Sequence, residues 1–148
     1  MKVVLGSDER TPLTDAVVDD LRERGHEVEL VGPPAGEALE WADVGRRVGE
    51  KVASGEVATG VLFCWTGTGA SIAANKVAGA RAALCTDAGT AAGARKWNDA
   101  NVLVMGLRLT SPELAREMLD AWLTTEADPG EAANVARLEP DRRRGWGR

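Results

Sequence analysis

"VLFCWTGTGASIAANK", residues 61–76, is the stretch of the chain that decides its fold. It opens with an apolar run typical of a buried strand, and this strand ends at Cys64. A loop with glycines at Gly67 and Gly69 follows, and "SIAANK" then predicts a helix. A unit of this kind aims backbone N–H groups and the positive end of a helix dipole at one point, which favours an anion there.

Cys64 stands at the rim of this cradle, and two interpretations of it are open. A thiolate beside N–H donors can act as a base or nucleophile while an oxyanion forms. Alternatively, the cysteine is a small buried hydrophobe next to an ordinary glycine turn. The sequence G-T-G does not match the dinucleotide fingerprint G-x-G-x-x-G, and no G-K-[ST] follows, so neither dinucleotide nor P-loop binding is supported.

Charge and cysteine usage exclude several classes of protein. The 148 residues suit one domain, and the formal charge of −5 argues against a general nucleic-acid binder. Cys64 and Cys85 lack the spacing of metal ligands, and the single histidine, His26, lies far from both in sequence, so no metal and no cofactor is predicted. The basic tail "DRRRGWGR", residues 141–148, is expected to be a solvated terminus.

The amino terminus predicts the cellular setting. Met1 leads directly into a strand-like run, without the pattern of a signal peptide, and the sequence has no apolar stretch long enough to span a membrane. We therefore expect a cytoplasmic protein with no membrane partner, whose cysteines stay reduced.

Strand-like and helix-like segments alternate along the chain. Apolar or alternating runs predict five strands, at residues 2–6, 26–32, 61–63, 80–85 and 101–106. Helical spacing, with start signals such as Thr11 before Pro12 and Ser111 before Pro112, predicts a helix after each strand. Strict alternation indicates an α/β fold with a five-stranded parallel sheet and helices on both faces.

The loops at one edge of this sheet form the expected ligand site, because ligands of such sheets bind beyond the carboxyl ends of the strands. The rule gathers residues 8–10, 64–69, 86–87 and 106–108 at that edge. It favours the catalytic interpretation of Cys64. The helix from Asp87 is rich in alanine and glycine, so it suits close contact with a second copy of the chain, with packing on its own sheet as the alternative.

Several motifs together resemble the family of ribose-5-phosphate isomerase B and galactose-6-phosphate isomerase. They are "GSD", "C-x-T-G-x-G-x-SIAANK-x-x-G-x-RAALC-T-D", "NDANVL" and "G-x-R", and the resemblance runs from Met1 to about Glu126. It implies a Rossmann-like three-layer α/β/α sandwich, a homodimer or a dimer of dimers, and metal-independent aldose–ketose isomerisation in carbohydrate metabolism through an enediolate. Residues 1–126 would form the isomerase-like domain, and residues 127–148 a C-terminal extension that contacts the dimer partner and then frays.

The resemblance also implies roles for individual residues. Cys64 matches the cysteine that removes the proton next to the carbonyl, because the glutamate of other members is replaced here by Ala70. Thr66 matches the residue that assists proton movement between the oxygens, Asp8 the acid that contacts sugar hydroxyls, and Asn98 a polar contact near the carbonyl. The backbone N–H groups that match the enediolate cradle are those of Gly67, Thr68, Gly69, Ala70 and Ser71.

Three positions depart from the family pattern. Glu9 replaces a phosphate-side histidine, and Trp97 replaces the histidine that opens the sugar ring. Of the C-terminal phosphate clamp only Arg137 remains basic, although Arg108 is kept. A carboxylate repels a phosphate dianion, and an indole N–H only donates. These departures favour a substrate that is already open-chain or that lacks phosphate.

Three tryptophans stand at or next to predicted site positions in the sequence. Trp41 stands where the family often has tyrosine, Trp65 follows the candidate base, and Trp97 precedes Asn98. Three indoles at one site suit an apolar ligand or the C–H face of a sugar. The alternative is that each packs the site closed or fills the dimer interface.

Three functions therefore compete. The first is a metal-independent isomerase for an unphosphorylated or open-chain α-hydroxy-carbonyl compound. The second is a conventional isomerase of ribose 5-phosphate or another sugar phosphate, with a changed phosphate site that uses Arg10, Arg108 or Arg137. The third is a non-catalytic sugar-binding homologue, against which the survival of Cys64 and Thr66 argues.

Overall fold

A computed structural model describes residues 1–139, and it has the alternating elements that the sequence predicts. The strands are β1 (Lys2–Ser7), β2 (Glu27–Val31), β3 (Thr59–Cys64), β4 (Ala82–Leu84) and β5 (Val102–Gly106). The helices are α1 (Pro12–Glu23), α2 (Trp41–Ala53), α3 (Thr68–Asn75), α4 (Ala88–Asn98), α5 (Pro112–Thr124) and α6 (Ala132–Ala136). Single 3-10 turns occur at Pro33–Ala35 and Pro129–Glu131.

The strands form one parallel sheet in the order β2-β1-β3-β5-β4, which confirms the predicted α/β fold. The chain leaves β1 toward β2 on one side, and β3 lies on the other side of β1. Such a reversal opens a crevice at the carboxyl ends of the two strands. That crevice lies beside Cys64, the last residue of β3.

Alternating side chains of the central strands divide the core into two layers. In β3, Val61 and Phe63 pack with residues of α1, α4 and α5, whereas Leu62 and Cys64 pack with α2 and α3. Side chains of a strand alternate between faces, so each central strand is buried on both sides. The result is the three-layer α/β/α sandwich that the resemblance implied.

The helix starts follow the predicted caps. Thr11 accepts a hydrogen bond from the N–H of Thr14, and Thr14 accepts one in return from the N–H of Thr11. Ser111 accepts one from the N–H of Leu114 at the start of α5. Each such cap contributes about 1 kcal/mol to stability. α1 and α5 therefore begin where the sequence predicts.

Three elements differ from their predicted bounds by two residues or more. β3 begins at Thr59 instead of the expected 61. β4 has only three residues instead of the expected 80–85, and the side chain of Asn75 takes the place of a strand partner at Ala82. Its Nδ2 donates to the carbonyl oxygen of Ala82 at 2.9 Å, and its Oδ1 accepts from the N–H of Ala82 at 2.8 Å. α3 begins at Thr68, earlier than the expected 71, because Gly67 makes a left-handed turn with φ of 81°.

The C-terminal segment packs against the far end of α4. The N–H of Asp128 donates to the carbonyl oxygen of Lys96 at 2.8 Å. The carboxylate of Glu139 accepts from the N–H of Gly79 at 2.9 Å and pairs with Arg81 at 3.2 Å. The basic tail, residues 141–148, lies outside the described residues, and the expected division at residue 126 stays a prediction.

Two further expectations can be compared with residues 1–139. Cys64 and Cys85 are both free thiols, and they belong to opposite faces of the sheet. None of the helices in this part of the chain combines the length and the apolar character that crossing a membrane requires.

Candidate active site

Cys64 is held in place by hydrogen bonds between two neighbouring loops. The carbonyl oxygen of Cys64 accepts from the N–H of Leu107 at 2.9 Å, and that of Trp65 accepts from the N–H of Arg108 at 3.0 Å. The side chain of Cys64 is 5% exposed and packs in the layer of Ala70. The thiol therefore sits at the base of the crevice, close to the first turn of α3.

The first turn of α3 forms the predicted anion cradle. A β-carbon at Gly67 would lie 2.6 Å from Cδ1 of Leu84, so this left-handed position requires glycine. Within residues 1–139, the N–H groups of Gly69 and Ala70 have no hydrogen-bond partner. The first N–H groups of a helix are regularly left for a ligand in this way.

The cradle is narrower than the sequence suggested. The N–H of Ser71 donates to the carbonyl oxygen of Gly67 at 3.1 Å, so the helix already uses this group. The N–H of Thr68 lies 3.4 Å from Oγ1 of Thr66. Ser71 therefore drops out of the expected donors. Within residues 1–139 the N–H of Gly67 is without a partner as well, so Gly67, Gly69 and Ala70 are the groups left to bind an oxyanion.

Two hydroxyl groups stand beside this cradle. Oγ1 of Thr66 and Oγ1 of Thr68 are 2.8 Å apart, and either can donate to the other. Both side chains are exposed at the mouth of the crevice. Two hydroxyl groups joined by a hydrogen bond can relay a proton: one oxygen accepts a proton while the other oxygen gives up a different one.

Asp8 directly follows the last paired residue of β1. Ser7 lies opposite Phe63 in the parallel ladder, so Asp8 emerges beside Cys64. Its Oδ1 is buried and has no hydrogen-bond partner within residues 1–139. Burial raises the pKa of Asp8 above its ordinary value, and the charges of Glu9 and Glu40 raise it further. An unsatisfied carboxyl oxygen here is available to a hydroxyl group of a substrate.

Glu40 is the acidic neighbour that the sequence analysis missed. It is the residue before α2, and its side chain makes no cap hydrogen bond. Its charge acts on Asp8 because α2 packs behind β1. Only the folding of the chain places the two carboxylates together, since they lie far apart in sequence.

The other predicted residues of this edge are exposed. Glu9 is exposed next to Asp8, and Arg108 is exposed next to Trp65. Trp41 is 47% exposed and Trp65 is 58% exposed. These four side chains form the rim of the crevice around Cys64.

Arg10 does not reach the crevice as a free cation. Its Nε lies 3.0 Å from Oδ1 of Asp15, and this ion pair holds it against α1. A pair this exposed adds little to stability, but it occupies the guanidinium. Arg10 is therefore a poor phosphate ligand in this arrangement.

Trp97 and Asn98 lie at the opposite edge of the sheet. They end α4, which runs antiparallel to the strands, and the next residue, Asp99, accepts a hydrogen bond at its carbonyl oxygen from Nε of Arg81. Arg81 directly precedes β4, so it marks the amino ends of the strands. Of the three predicted tryptophans, Trp41 and Trp65 thus lie at the edge of the sheet that carries Cys64, and Trp97 lies at the opposite edge of the same protomer. That all three line one site stays a prediction, which a second protomer would have to fulfil.

Arg137 belongs to the same distant region. It ends α6 and its Nη1 donates to Oδ1 of Asn134 at 3.2 Å. The segment that carries it is tied to Lys96 and Arg81. An open groove of about 650 Å³ runs along β4 and α4, and the residues that line it include Leu84, Asp87, Thr90, Gly93, Trp97 and Asn98.

Comparisons with known proteins agree with this arrangement. The family model described as Ribose/Galactose Isomerase matches residues 3–139. The chain is 42% identical over 118 residues to ribose-5-phosphate isomerase B of Escherichia coli, and the aligned region covers 80% of this chain and 79% of that protein. It is 37% identical over 135 residues to D-erythrulose-4-phosphate isomerase of Pectobacterium atrosepticum, and the aligned region covers 90% of this chain and 89% of that protein.

A comparison with solved structures supports the same family. The structure of ribose-5-phosphate isomerase B from Clostridium thermocellum superimposes with a TM-score of 0.86 at 39% identity, and the match covers 93% of this chain and 95% of that one. Sequence and structure agree over nearly the whole described length. The chain therefore belongs to the ribose/galactose isomerase family and is an isomerase.

Proposed function

We propose that this isomerase interconverts the aldose and ketose forms of an open-chain α-hydroxy-carbonyl compound through an enediolate. One observation carries the proposal. The thiol of Cys64, the hydroxyl pair of Thr66 and Thr68, and the N–H groups at the start of α3, which have no partner among the described residues, meet at one place. Base, proton relay and oxyanion donors are the three parts that this reaction needs.

The reaction would begin at the carbon next to the carbonyl. The Cys64 thiolate takes the proton from this carbon, and the electron pair of the C–H bond forms a carbon–carbon double bond. The carbonyl oxygen becomes an oxyanion, and the N–H groups of Gly69 and Ala70 stabilise it. Preorganised donors of this kind lower a barrier by roughly 3–4 kcal/mol each.

The second half of the reaction reverses these steps on the neighbouring carbon. The hydroxyl pair of Thr66 and Thr68 moves a proton from one enediolate oxygen to the other. Cys64 returns its proton to the former carbonyl carbon. One carbon is oxidised and its neighbour is reduced, so the electrons balance within the substrate. Asp8 binds a hydroxyl group of the substrate through its unsatisfied oxygen.

We further propose that the active unit is a homodimer in which each site borrows residues from the partner. Two observations support this. Trp97, Asn98 and Arg137 lie at the opposite edge of the sheet from Cys64, although the resemblance implies that they belong to the site. The lining of the groove along β4 and α4 includes the small residues Ala83, Gly89, Gly93 and Ala94, which would allow a second copy to approach closely between the larger side chains.

The open-chain substrate is supported by what replaces the ring-opening and phosphate-binding groups. Trp97 can only donate a hydrogen bond, so it cannot move a proton to and from a ring oxygen. Glu9 adds a negative charge near Asp8, where a phosphate dianion would be repelled. D-Erythrulose 4-phosphate cannot form a furanose, because its C2 carbonyl has no C5 hydroxyl group to close a five-membered ring. In the aldose isomer the phosphate blocks the C4 hydroxyl group that would close one, so this pair suits a site without ring-opening chemistry. Unphosphorylated D-erythrulose also lacks a C5 hydroxyl group, so it is open-chain as the ketose, and it carries no phosphate for Glu9 to repel.

Ribose 5-phosphate is the second candidate substrate. The 42% identity to ribose-5-phosphate isomerase B of Escherichia coli favours it. In that case Arg108 and the partner's side of the dimer would have to hold the phosphate.

Exchange of the α-proton in heavy water tests the proposal. The natural enzyme is incubated with D-erythrulose 4-phosphate, D-erythrulose or ribose 5-phosphate, and proton NMR follows the loss of the α-proton signal. We expect exchange with at least one of the two erythrulose compounds and weak or no exchange with ribose 5-phosphate. Fastest exchange with ribose 5-phosphate would favour the second candidate, and no exchange with any of the three would overturn the proposed function.

A further inference from the structure

We propose that Trp41 is a positioning residue for the oxyanion loop, here the first turn of α3 at Thr68–Ala70. Its ring lies on Gly69 and holds the N–H groups of Gly69 and Ala70 in the direction of the substrate. This inference rests on the proposed function. It differs from a direct substrate contact, because Trp41 would act on the reaction through the loop.

The contact between Trp41 and Gly69 is the first observation. A β-carbon at Gly69 would lie 2.8 Å from Cε3 of Trp41 and 3.1 Å from both Cδ2 and Cζ3. The face of the indole therefore covers the Cα of Gly69. Gly69 is not among the glycines with positive φ, so its backbone does not require glycine. The ring of Trp41 is what leaves no room for a side chain there.

The same face of α2 packs closely along the whole of α3. Trp41, Gly45 and Gly49 follow each other at intervals of four residues, which places them on one face of the helix. A β-carbon at Gly45 would lie 2.7 Å from the carbonyl oxygen of Ala70, and one at Gly49 would lie 3.0 Å from that of Ala74. The backbones of α2 and α3 are thus in direct contact, and Trp41 forms the end of this contact at the loop.

The start of α3 lacks the side-chain cap that α1, α4 and α5 have. Its first flanking residue is Gly67, which has no side chain to cap the helix. The corresponding residues of α1, α4 and α5 all cap with a side-chain oxygen, and these residues are Thr11, Asp87 and Ser111. Leaving the cap open keeps the N–H groups available to a ligand, but it removes the local hydrogen bond that would fix their direction. Packing of the Trp41 ring replaces that support.

A double-mutant cycle tests the inference. The variants are Trp41→Ala, Trp41→Phe, Gly69→Ala and the combination of Trp41→Ala with Gly69→Ala. The substrate is the one among D-erythrulose 4-phosphate, D-erythrulose and ribose 5-phosphate that the natural enzyme isomerises fastest. Because a small misplacement of catalytic groups is costly, we expect Trp41→Ala to lower kcat at least about tenfold and to leave KM nearly unchanged. Trp41→Phe keeps an aromatic face and should retain most of the activity.

The double variant, Trp41→Ala with Gly69→Ala, shows whether the two residues act on kcat through their mutual contact. Gly69→Ala alone should lower kcat, because the new methyl group displaces the ring. In the Trp41→Ala background the same change should cost nothing further, since the ring is gone and alanine favours a helix. Additive losses would overturn the inference. A rise in KM with unchanged kcat would also overturn it, because that pattern indicates direct binding of the substrate by Trp41.

A second measurement does not depend on activity. Hydrogen exchange of the backbone amide of Ser71, whose N–H is bonded to Gly67, reports the opening of this first turn. NMR should show exchange at least about tenfold faster in Trp41→Ala than in the natural protein or in Trp41→Phe. Unchanged exchange in Trp41→Ala would overturn the inference. A failure of the proposed function would leave this measurement valid, so the two failures can be told apart.

Discussion

Gly106 and Thr66 are in backbone contact: a β-carbon at Gly106 would lie 2.8 Å from the carbonyl oxygen of Thr66. The end of β5 therefore fixes the position of the loop that carries the hydroxyl pair of Thr66 and Thr68. The hydrogen bond from the N–H of Leu107 to Cys64 fixes the same loop from the other side. The geometry of the candidate site is therefore built by two parallel strands that are neighbours in the sheet but distant in sequence.

The first prediction follows from this contact. Gly106→Ala forces a methyl group against a carbonyl oxygen, and the backbone must move because no flexible side chain can give way. We expect a loss of about 1–3 kcal/mol in the free energy of unfolding, as for an overpacked site. We also expect kcat/KM to fall, because the hydroxyl pair shifts with the loop. Urea denaturation and steady-state kinetics measure both, and a variant with natural stability and activity would contradict this account of the loop.

The second prediction concerns the two cysteines. Cys64→Ser should keep the fold, since the change in volume is small, and should lower kcat by about 10²–10⁴-fold, the usual value of a positioned base. Cys85→Ser is the matched control. Burial and the charge of Asp87 raise the pKa of Cys85 to about 11, so this thiol does not form a thiolate at neutral pH. Natural rates in Cys64→Ser would remove Cys64 from the mechanism.

The third prediction tests the shared site by complementation. Chains with Cys64→Ala and chains with Asn98→Ala are co-expressed, and mixed dimers form beside the two parent dimers. If each site combines Cys64 of one chain with Asn98 of the other, every mixed dimer holds one intact site, and about a quarter of all sites become active. If each protomer uses its own Asn98, the mixture stays as inactive as its parents. Light scattering of the natural protein should show a dimer at micromolar concentration.

The fourth prediction concerns Asp8 and pH. Its raised pKa means that the folded state holds the proton more tightly than the unfolded chain does. The contribution of Asp8 to stability therefore falls as the pH rises from its ordinary pKa through the raised one. Asp8→Asn should be more stable than the natural protein at pH 7, and the difference should shrink as the pH is lowered through that window.

The same variant should be a poorer enzyme. Loss of a hydrogen bond from a substrate hydroxyl to a charged group should lower kcat/KM at least about tenfold. Thermal denaturation between pH 4 and pH 7, together with kinetics at pH 7, measures both effects. A variant that is less stable at pH 7 would show that Asp8 is not under the strain that its burial indicates.

Local patterns were sufficient to predict the elements and the general position of the site. The caps at Thr11 and Ser111 and the glycine at position 67 act on their own neighbours in the chain, so the sequence shows them directly. The glycine loop already indicated Cys64 as a candidate base, and the resemblance added its specific role in the reaction, which is still a prediction. α6 was missed because it has only five residues and no buried face.

Contacts between elements that are distant in sequence could not be predicted from local patterns. The insertion of β5 between β3 and β4 depends on how strands pair, and no local pattern records that choice. It was this topology, together with the direction of α4, that separated Trp97 from Cys64. The contact of Trp41 with Gly69 and the effect of Glu40 on Asp8 depend on packing between helices and strands in the same way.

The last prediction concerns the substrate and the two replaced histidines. Trp97→His combined with Glu9→His restores a group that can relay protons and removes a charge that repels phosphate. Because general acid–base help is worth about 10²–10⁴-fold, the double variant should gain at least about tenfold in turnover of ribose 5-phosphate over the natural enzyme. Trp97→Phe combined with Glu9→Gln is the matched control, since it removes the same groups without adding a relay, and it should gain far less. Turnover of unphosphorylated D-erythrulose should change little in either variant, because this open-chain compound needs no ring opening and carries no phosphate. Efficient isomerisation of ribose 5-phosphate by the natural sequence would show instead that Glu9 and Trp97 are neutral replacements in a conventional sugar-phosphate isomerase.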